Sequence, residues 1–358
     1  MTDRERVPGD AVRFDGSWTE FAPIAFTNLL LIIVTLGIYR FWATVRERRY
    51  LWDRTSFIDD RLEWAGTGKE LFIGFLLAML VIVVPYFAAA FAARALFLHG
   101  QIVAGSVLSA VIVLYIFALV GLARYRALRY RLTRTFWRGI RGGSDDPGFG
   151  YMLSYVWKTV TGIVPLGLLV PWSLVSLYNE RWNRLSFGPL PFRANGEVRG
   201  LMGRFLLCYL APFAMIAMVG VATMPQVFAI QRGQEPNSLA VLSIVLGMLA
   251  GYFVFGLVLM AFYAKYFRQV IGATALGELE FHFSARTWDW IKLLLGDAAL
   301  VLFTLGLGFV FINYRHWKFY VTHMGASGTI DPEDLTQSTT RDLRTGEGLL
   351  EAFDMGGF

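Results

Sequence analysis

The sequence has one cysteine, four scattered histidines and few charged residues, and each scarcity excludes a class of protein. The single thiol, Cys208, can form neither an intramolecular disulfide nor a thiolate metal cluster. The histidines show no HExxH or related metal-binding spacing, and no GxSxG elbow occurs. The sequence therefore predicts that the protein is not an enzyme and holds no metal or cofactor.

Charged residues make up 17% of the 358 positions and hydrophobic residues 56%, more apolar surface than a water-soluble core of this size needs. Four runs are long and apolar enough to cross a hydrocarbon layer of roughly 30 Å, which takes about 20 helical residues. They cover residues 71–91, 102–123, 205–224 and 239–263. We expect these runs to be membrane spans.

A hydrophobic segment interrupted by Leu-Gly occurs three times. Shifting the chain by 130 residues gives 13 identities between positions 36 and 77, and a further shift of 139 aligns a third Leu-Gly. The pattern predicts two tandem repeats and part of a third. The expected parts are residues 1–13, a cytoplasmic segment; 14–143, copy one; 144–282, copy two; 283–330, the partial third copy; and 331–358, an acidic cytoplasmic tail.

Each Leu-Gly segment (20–50, 151–182 and 287–319) is either a crossing or a hairpin that leaves the membrane on the side where it entered. Gly37, Gly167 and Gly306 mark the breaks, and Pro165 precedes the second. Four crossings leave 31 of the 33 Lys and Arg residues on the cytoplasmic side, whereas seven crossings divide them 20 to 13. This favours hairpins, although Leu-Gly could also kink a continuous helix or permit close packing.

The expected fold is therefore an all-α integral membrane protein with four spans, three re-entrant or interfacial hairpins and both termini in the cytoplasm. No signal peptide is evident, because a charged segment leads directly into the first repeat.

The repeat alignment also places three polar residues at one position, eight residues before the leucine of each break: Asn28, Lys158 and Asp297. Ionisable groups in a membrane usually face a protein interior or a wet cavity and find a partner. One hypothesis is a buried cluster with a Lys158–Asp297 ion pair and Asn28 nearby. The alternative is solvation near the lipid head groups.

Three segments interleave arginine with tryptophan, tyrosine and phenylalanine at helical spacing, which suits a membrane interface. We expect four arginines to face anionic phospholipid: Arg46, Arg49, Arg129 and Arg181. A specific anionic ligand is a second interpretation. Nucleic-acid binding is not expected, because the segments adjoin apolar runs.

The chain resembles the YjgN-type family of bacterial inner-membrane proteins, a domain of unknown function. The resemblance is carried by FDGSWTEF, NLLLIIVTLGIYRFW and VRERRYLWDRTSF, and it weakens in copy two, where Lys158 stands for Asn28 and Asn179-Glu180 for Arg49-Tyr50. It implies a polytopic inner-membrane location and supplies no catalytic or ligand residues.

Internal repeats, broken hydrophobic segments and polar residues at matching depth are typical of transporters. The leading hypothesis is transport or gating of a small solute or lipid, with the three polar positions as lining residues and the breaks as hinges. A non-enzymatic scaffold that binds anionic lipid and envelope or cytoplasmic partners is the alternative, and a lipid-modifying membrane enzyme ranks third. Substrate and self-association stay open.

Overall fold

The computed structural model describes residues 5–7, 11–233, 238–330 and 336–340, so most of the predicted tail lies outside the described residues. Four helices of the described residues have the length and composition to cross a membrane, and they cover the four runs predicted from the sequence. They are Gly68–Leu98, Ile102–Thr133 (α5), Met202–Gln231 (α8) and Ser238–Gly272 (α9).

The first long helix consists of α3 (Gly68–Ala78) and α4 (Val84–Leu98), joined by a π-helical turn at Met79–Val83. Pro85 explains this turn, because proline has no N–H to donate to the carbonyl of Val81. Tyr115 of α5 donates its hydroxyl to that carbonyl at 3.0 Å instead. The irregular turn therefore helps to join the first two spans.

Each Leu-Gly segment forms a pair of shorter helices. The pairs are α1 (Trp18–Val34) with α2 (Arg40–Asp53), α6 (Phe149–Ile163) with α7 (Val170–Trp182), and α10 (Thr287–Phe303) with α11 (Ile312–His323). In the third pair a short 3-10 helix, Leu307–Phe311, precedes α11.

The three turns between paired helices have the same backbone geometry. The leucines Leu36, Leu166 and Leu305 have φ of 50°, 53° and 51°, and the glycines that follow have φ of 91°, 81° and 93°. A left-handed backbone conformation is strained for leucine, whereas glycine adopts it without steric strain. The leucine side chains are 94%, 78% and 95% exposed, so each turn presents an apolar tip.

The prediction of an all-α fold is wrong, because eleven short strands among the described residues form one antiparallel sheet. In chain order they are β1 Glu5–Val7, β2 Val12–Phe14, β3 Thr55–Phe57, β4 Asp60–Trp64, β5 Thr135–Trp137, β6 Ile140–Gly143, β7 Ser186–Phe187, β8 Leu190–Ala194, β9 Thr274–Leu276, β10 Leu279–Phe283 and β11 Met324–Ile330. Several of them lie in the arginine-rich and aromatic segments that we interpreted as interfacial helix.

Four β-hairpins build most of this sheet, and each has a two-residue loop. The closing pairs are Phe57 with Asp60, Trp137 with Ile140, Phe187 with Leu190, and Leu276 with Leu279. The first loop residue has a positive φ in every case, as two-residue hairpin loops require. Each hairpin directly follows a helix: α2, α5, α7 and α9 in turn.

The sheet bends almost into a barrel, which we call the ring. The strand order runs from β1 through β11, then down in sequence from β10 to β2. β1 pairs with β11 and β2 pairs with β3, so the amino-terminal strands join the last part of the chain to the first. β1 and β2 therefore lie at the two ends of the strand order, and counting them together gives a near-barrel of ten strands.

Candidate functional site

Asn28 is 1% exposed and bonds to the second helix of its own pair. Its side-chain amide donates to the Ala43 carbonyl at 3.3 Å and to Glu47 Oε1 at 3.4 Å. Arg46 donates to its Oδ1 at 3.1 Å. Asn28 therefore links α1 to α2, and both its side-chain nitrogen and its side-chain oxygen are hydrogen-bonded within the protein.

Lys158 lies in α6 and donates to Glu180 Oε2 of α7 at 2.6 Å. Glu180 also accepts from Arg184 at 2.6 Å, and Arg184 forms a further ion pair with Asp146. Burial opposes ionisation of Glu180, but hydrogen bonds from Lys158, Ser154 and Arg184 outweigh it and lower its pKa. The result is a network of two cations and two anions that joins α6, α7 and the residues that flank them.

Asp297 of α10 is 7% exposed and contacts two cationic or basic side chains of α11. Arg315 donates Nε–H to Oδ1 at 2.6 Å, and His316 Nε2 lies 2.7 Å from Oδ2. A shift of 269 residues aligns Arg46 with Arg315, so the first and third pairs place an arginine against the same polar position. Each of the three polar residues thus bonds within its own helix pair. Lys158 and Asp297 do not form the hypothesised ion pair with each other, because Lys158 pairs with Glu180 and Asp297 with Arg315 and His316.

The first and third pairs also contact each other. Asn313 of α11 donates to Glu47 Oε2 at 3.0 Å, while Asn28 reaches Oε1. Burial raises the pKa of Glu47, against the opposing effect of these two hydrogen bonds and of Arg48. One carboxylate therefore bridges helices from opposite ends of the chain.

The four arginines expected at lipid differ in exposure. Arg49 is exposed, Arg46 and Arg181 are half-buried, and Arg129 is 6% exposed. A side chain as buried as Arg129 packs inside the protein. Among the residues that the structure describes, no group of three His, Cys, Asp or Glu side chains could hold a metal ion.

The most distinctive feature of the ring is a cavity of about 350 Å³, lined by residues of nine strands and five helices. That volume is in the range of small-molecule sites, roughly 300–1,000 Å³. Four tryptophans line it, Trp52, Trp137, Trp182 and Trp317, together with phenylalanines from four strands and from α9. We call this space the ring cavity.

A hydrogen-bond pattern repeats around the ring cavity at three helix-to-strand junctions. Thr55, Thr135 and Thr274 each donate the hydroxyl to the carbonyl four residues earlier, at 2.7–2.8 Å. Each hydroxyl also lies beside an aromatic donor from the preceding helix around the ring. Trp317 donates to Thr55 and Trp52 to Thr135, both at 2.9 Å, and the Tyr178 hydroxyl lies 3.2 Å from Thr274. The Trp317 bond connects the last helix to the first hairpin.

Neither the polar positions nor the Leu-Gly turns line the ring cavity, so sequence reasoning missed this site. A second cavity, about 270 Å³, lies between α8 and α9 and does not include them either. One signal was available: Gly188-Pro189 and Gly277-Glu278 each separate short apolar runs, as two-residue hairpin loops do. The shift of 139 residues that aligns the third Leu-Gly also aligns Thr135 with Thr274, at two of the junctions.

Spanning helices, shorter helix pairs and a ring-shaped sheet together define a multi-helix membrane protein of mixed α and β structure. The chain belongs to the family described as "Bacterial protein of unknown function (DUF898)", which matches residues 10–352. The resemblance found in the sequence is thereby confirmed.

The chain is also similar to proteins named "Inner membrane protein YjgN". Those of Escherichia coli O157:H7 and Escherichia coli K12 are each 25% identical over 253 residues, covering 62% of this chain and 61% of the relative. The Salmonella typhimurium protein is 28% identical over 130 residues, covering 36% of this chain and 30% of the relative. The chain thus spans about three fifths of the length of the Escherichia coli relatives. No solved structure matches. The protein is an inner-membrane protein of unknown function.

Proposed function

We propose that the protein binds an apolar small molecule or lipid in the ring cavity and thereby transports or gates it. The observation that carries this proposal is the cavity itself, about 350 Å³ in volume and walled largely by apolar side chains, many of them aromatic. Apolar pockets of this size are the usual sites for small-molecule ligands. A scaffold that only anchors partners needs no such space in its interior.

The polar positions are assigned a supporting role. Asn28, Lys158 and Asp297 each hold the two helices of a pair together, through partners 2.6–3.4 Å away. Paired in this way they stabilise the helices that carry cavity residues, including Trp52, Trp182 and Trp317. We therefore assign substrate contact to the ring and not to these residues.

Filling the cavity tests the proposal. Leu128→Trp places a larger side chain in the cavity wall on α5, and Leu114→Trp is a matched control on the same helix, because Leu114 is 49% exposed. Native mass spectrometry and solvent extraction of the purified protein would measure bound lipid or other apolar molecules. We expect about one molecule per wild-type chain, the same in Leu114→Trp, and a clear loss in Leu128→Trp.

Equal occupancy in the two tryptophan variants would contradict the proposal, provided that both remain folded. An empty wild-type chain after extraction in several mild detergents would contradict it as well.

For the membrane arrangement we propose internal repeats, re-entrant helix pairs and cytoplasmic termini. The exposed Leu36, Leu166 and Leu305 at the tips support insertion of the pairs. The positive-inside rule supports a cytoplasmic ring, since all but two of the lysines and arginines then lie on that side.

Single cysteines test this arrangement after Cys208→Ala removes the native thiol. We expect Leu36→Cys, Leu166→Cys and Leu305→Cys to resist a membrane-impermeant maleimide from both sides of the membrane. Gln101→Cys, at an exposed position in the loop after α4, is the control and should react from the outside only. Labelling of the three tips at the rate of the control would show that they lie in water.

A further inference from the structure

We propose that residues 336–340, which we call the strap, regulate the ring cavity by closing the seam between β6 and β7. A seam is here the pairing between strands of two successive hairpins. The proposal rests on the proposed function, since it concerns how a ligand enters and leaves the cavity. Three observations carry it: the length of this seam, the glycines beside it and the hydrogen bonds of the strap.

The seam between β6 and β7 is the shortest between successive hairpins. Two residue pairs face each other there, Gly142 with Phe187 and Gly143 with Ser186, whereas the seams β4–β5 and β8–β9 have three pairs each. The two successive glycines weaken β6 further, because glycine contributes no side chain to packing and loses much backbone freedom on folding. Phe187 lines the cavity, so opening of this seam exposes the cavity to water.

Glycines beside the seam leave room for the strap. A methyl group at Gly143 would collide with the hydroxyl of Thr340. At Gly188, in the β7–β8 loop, a Cβ atom would lie 2.8 Å from the carbonyl oxygen of Thr336, which is closer than real Cβ atoms approach. Glycine in a sheet often marks such a close approach of another backbone. The strap therefore crosses the seam, with one end against the β7–β8 hairpin and the other against β6.

Hydrogen bonds hold the strap on the β5–β6 hairpin. The side chain of Gln337 donates to the carbonyl of Gly139 at 2.9 Å and accepts from the backbone N–H of Arg141 at 3.2 Å. The guanidinium of Arg141 donates to the carbonyl of Thr340 at 2.5 Å. The carbonyl of Arg141 in turn accepts from the N–H of Gly188 at 3.0 Å. The strap and the seam thus share Arg141, and loss of the strap removes support from the seam.

The composition of the strap suits reversible release. Its sequence, TQSTT, contains no hydrophobic residue. Thr336, Gln337 and Thr339 are exposed, so the attachment depends on a few hydrogen bonds, each of modest net strength. The strands beneath it, in contrast, bury apolar side chains such as Phe187. Segments with few buried apolar contacts open at the lowest free energy. The strap therefore detaches before the ring unfolds.

Labelling of Phe187→Cys tests the opening, in a chain whose native thiol is removed by Cys208→Ala. Phe187 is 8% exposed, so a water-soluble maleimide reaches this position in nanodiscs when the seam opens. We expect Gln337→Ala to raise the labelling rate about fivefold, the ratio that corresponds to one net hydrogen bond. Thr339→Ala, at an exposed position of the same strap, is the matched control and should leave the rate unchanged. Equal rates in the two chains, both shown to be folded by thermal unfolding, would overturn the proposal.

A disulfide tests whether the strap controls the ligand. A Cβ atom at Gly143 would lie 3.3 Å from that of Thr340, close to the roughly 3.5–4.5 Å of a disulfide. Gly143→Cys with Thr340→Cys, in the Cys208→Ala chain, therefore locks the strap on oxidation. The probe is 1-bromododecane, whose bromine quenches the tryptophans that line the cavity and which dodecane displaces from a saturable site.

Release is followed as the recovery of tryptophan fluorescence after loaded nanodiscs are mixed with probe-free phosphatidylcholine vesicles. We expect release to be at least about fivefold slower in the oxidised than in the reduced protein, since the lock removes the detached state of the strap. Addition of a reductant should restore the faster rate.

An equal release rate with the disulfide formed and reduced would overturn control of the cavity by the strap, and the saturable quenching would leave the proposed function standing. If wild type showed no saturable quenching by 1-bromododecane, the proposed function would fail, and the maleimide rates would still decide whether the strap closes the seam. The two failures are therefore distinguishable.

Discussion

The ring and the spanning helices differ in where they bury their side chains. In the most apolar part of each spanning helix only 17%, 6%, 6% and 0% of the residues are buried within the protein. In the ring, Trp137, Leu279 and Ala326 are 2%, 0% and 0% exposed. The spans depend on the bilayer to cover their apolar surface, whereas the ring supplies its own core.

This difference indicates which part holds the molecule together. The ring strands come from every region between the amino terminus and residue 330, and the order of pairing connects all of them. Helices in lipid gain little from hiding apolar surface against each other, because the tails are equally apolar. We therefore expect the ring to contribute most of the stability that survives in detergent. One substitution in the ring, one at its closure and one in a helix pair probe how stability is divided.

The largest effect is expected for Phe192→Ala in the ring. Phe192 is 7% exposed and its ring lies 4.9 Å from that of Trp182. Removing a buried phenylalanine side chain usually costs about 3–5 kcal/mol. Phe91→Ala on α4 is the control, because Phe91 is 70% exposed. The free energy of unfolding, measured in mixed micelles, should fall by that amount in Phe192→Ala and by under about 0.5 kcal/mol in the control. Equal losses would show that ring and spans are not different in this way.

A smaller effect is expected at the closure of the ring. Trp317→Phe removes the indole N–H that donates to Thr55, and the net value of such a bond is about 1 kcal/mol. Trp290→Phe makes the same chemical change at an indole nitrogen that is buried without a hydrogen-bond partner. Thermal unfolding should therefore show a larger loss for Trp317→Phe. If Trp290→Phe were as costly, the ring-closing bond would contribute nothing measurable.

The smallest effect should appear only as a dependence on pH. Because burial raises the pKa of Glu47 above its ordinary value of 4.5, the folded protein holds this proton more tightly than the unfolded chain. Its contribution to stability is thus fully present below pH 4.5 and is lost as the pH rises through the higher, folded value. Thermal midpoints measured from pH 4 to 7 should show this loss in wild type. It should be weaker in Glu47→Gln and unchanged in Glu63→Gln, an exposed position on β4.

Part of this architecture could be predicted because it depends on local sequence. The span at Ile102–Thr133 contains an uninterrupted apolar run, which periodicity and length identify without knowledge of any partner. The turns at Gly37 and Gly306 were marked by a residue that tolerates a positive φ.

The sheet could not be found in this way. Its strands are only two to seven residues long, and the pairings that join one hairpin to the next are non-local: Arg193 lies opposite Ala275, and Glu5 opposite Ile330. The polar positions show the same limit. Equivalence within the repeat suggested that Lys158 and Asp297 would meet, but each found a charged partner 18–22 residues away, across its own turn.

The closure of the ring has a consequence for biosynthesis. β1 pairs with β11, and the hydroxyl of Tyr314 donates to the carbonyl of Gly16 at 2.8 Å, so the strand and loop before α1 must wait for α11 and β11 to be synthesised. The spanning helices can enter the membrane one pair at a time during synthesis. β1 and one edge of β10 stay unpaired until β11 has been made. During that interval the nascent chain carries open strand edges at the membrane surface, and unpaired edges are prone to aggregation. A truncated product that lacks α11 and β11 should therefore insert into the membrane and yet be a target for chaperones and proteases.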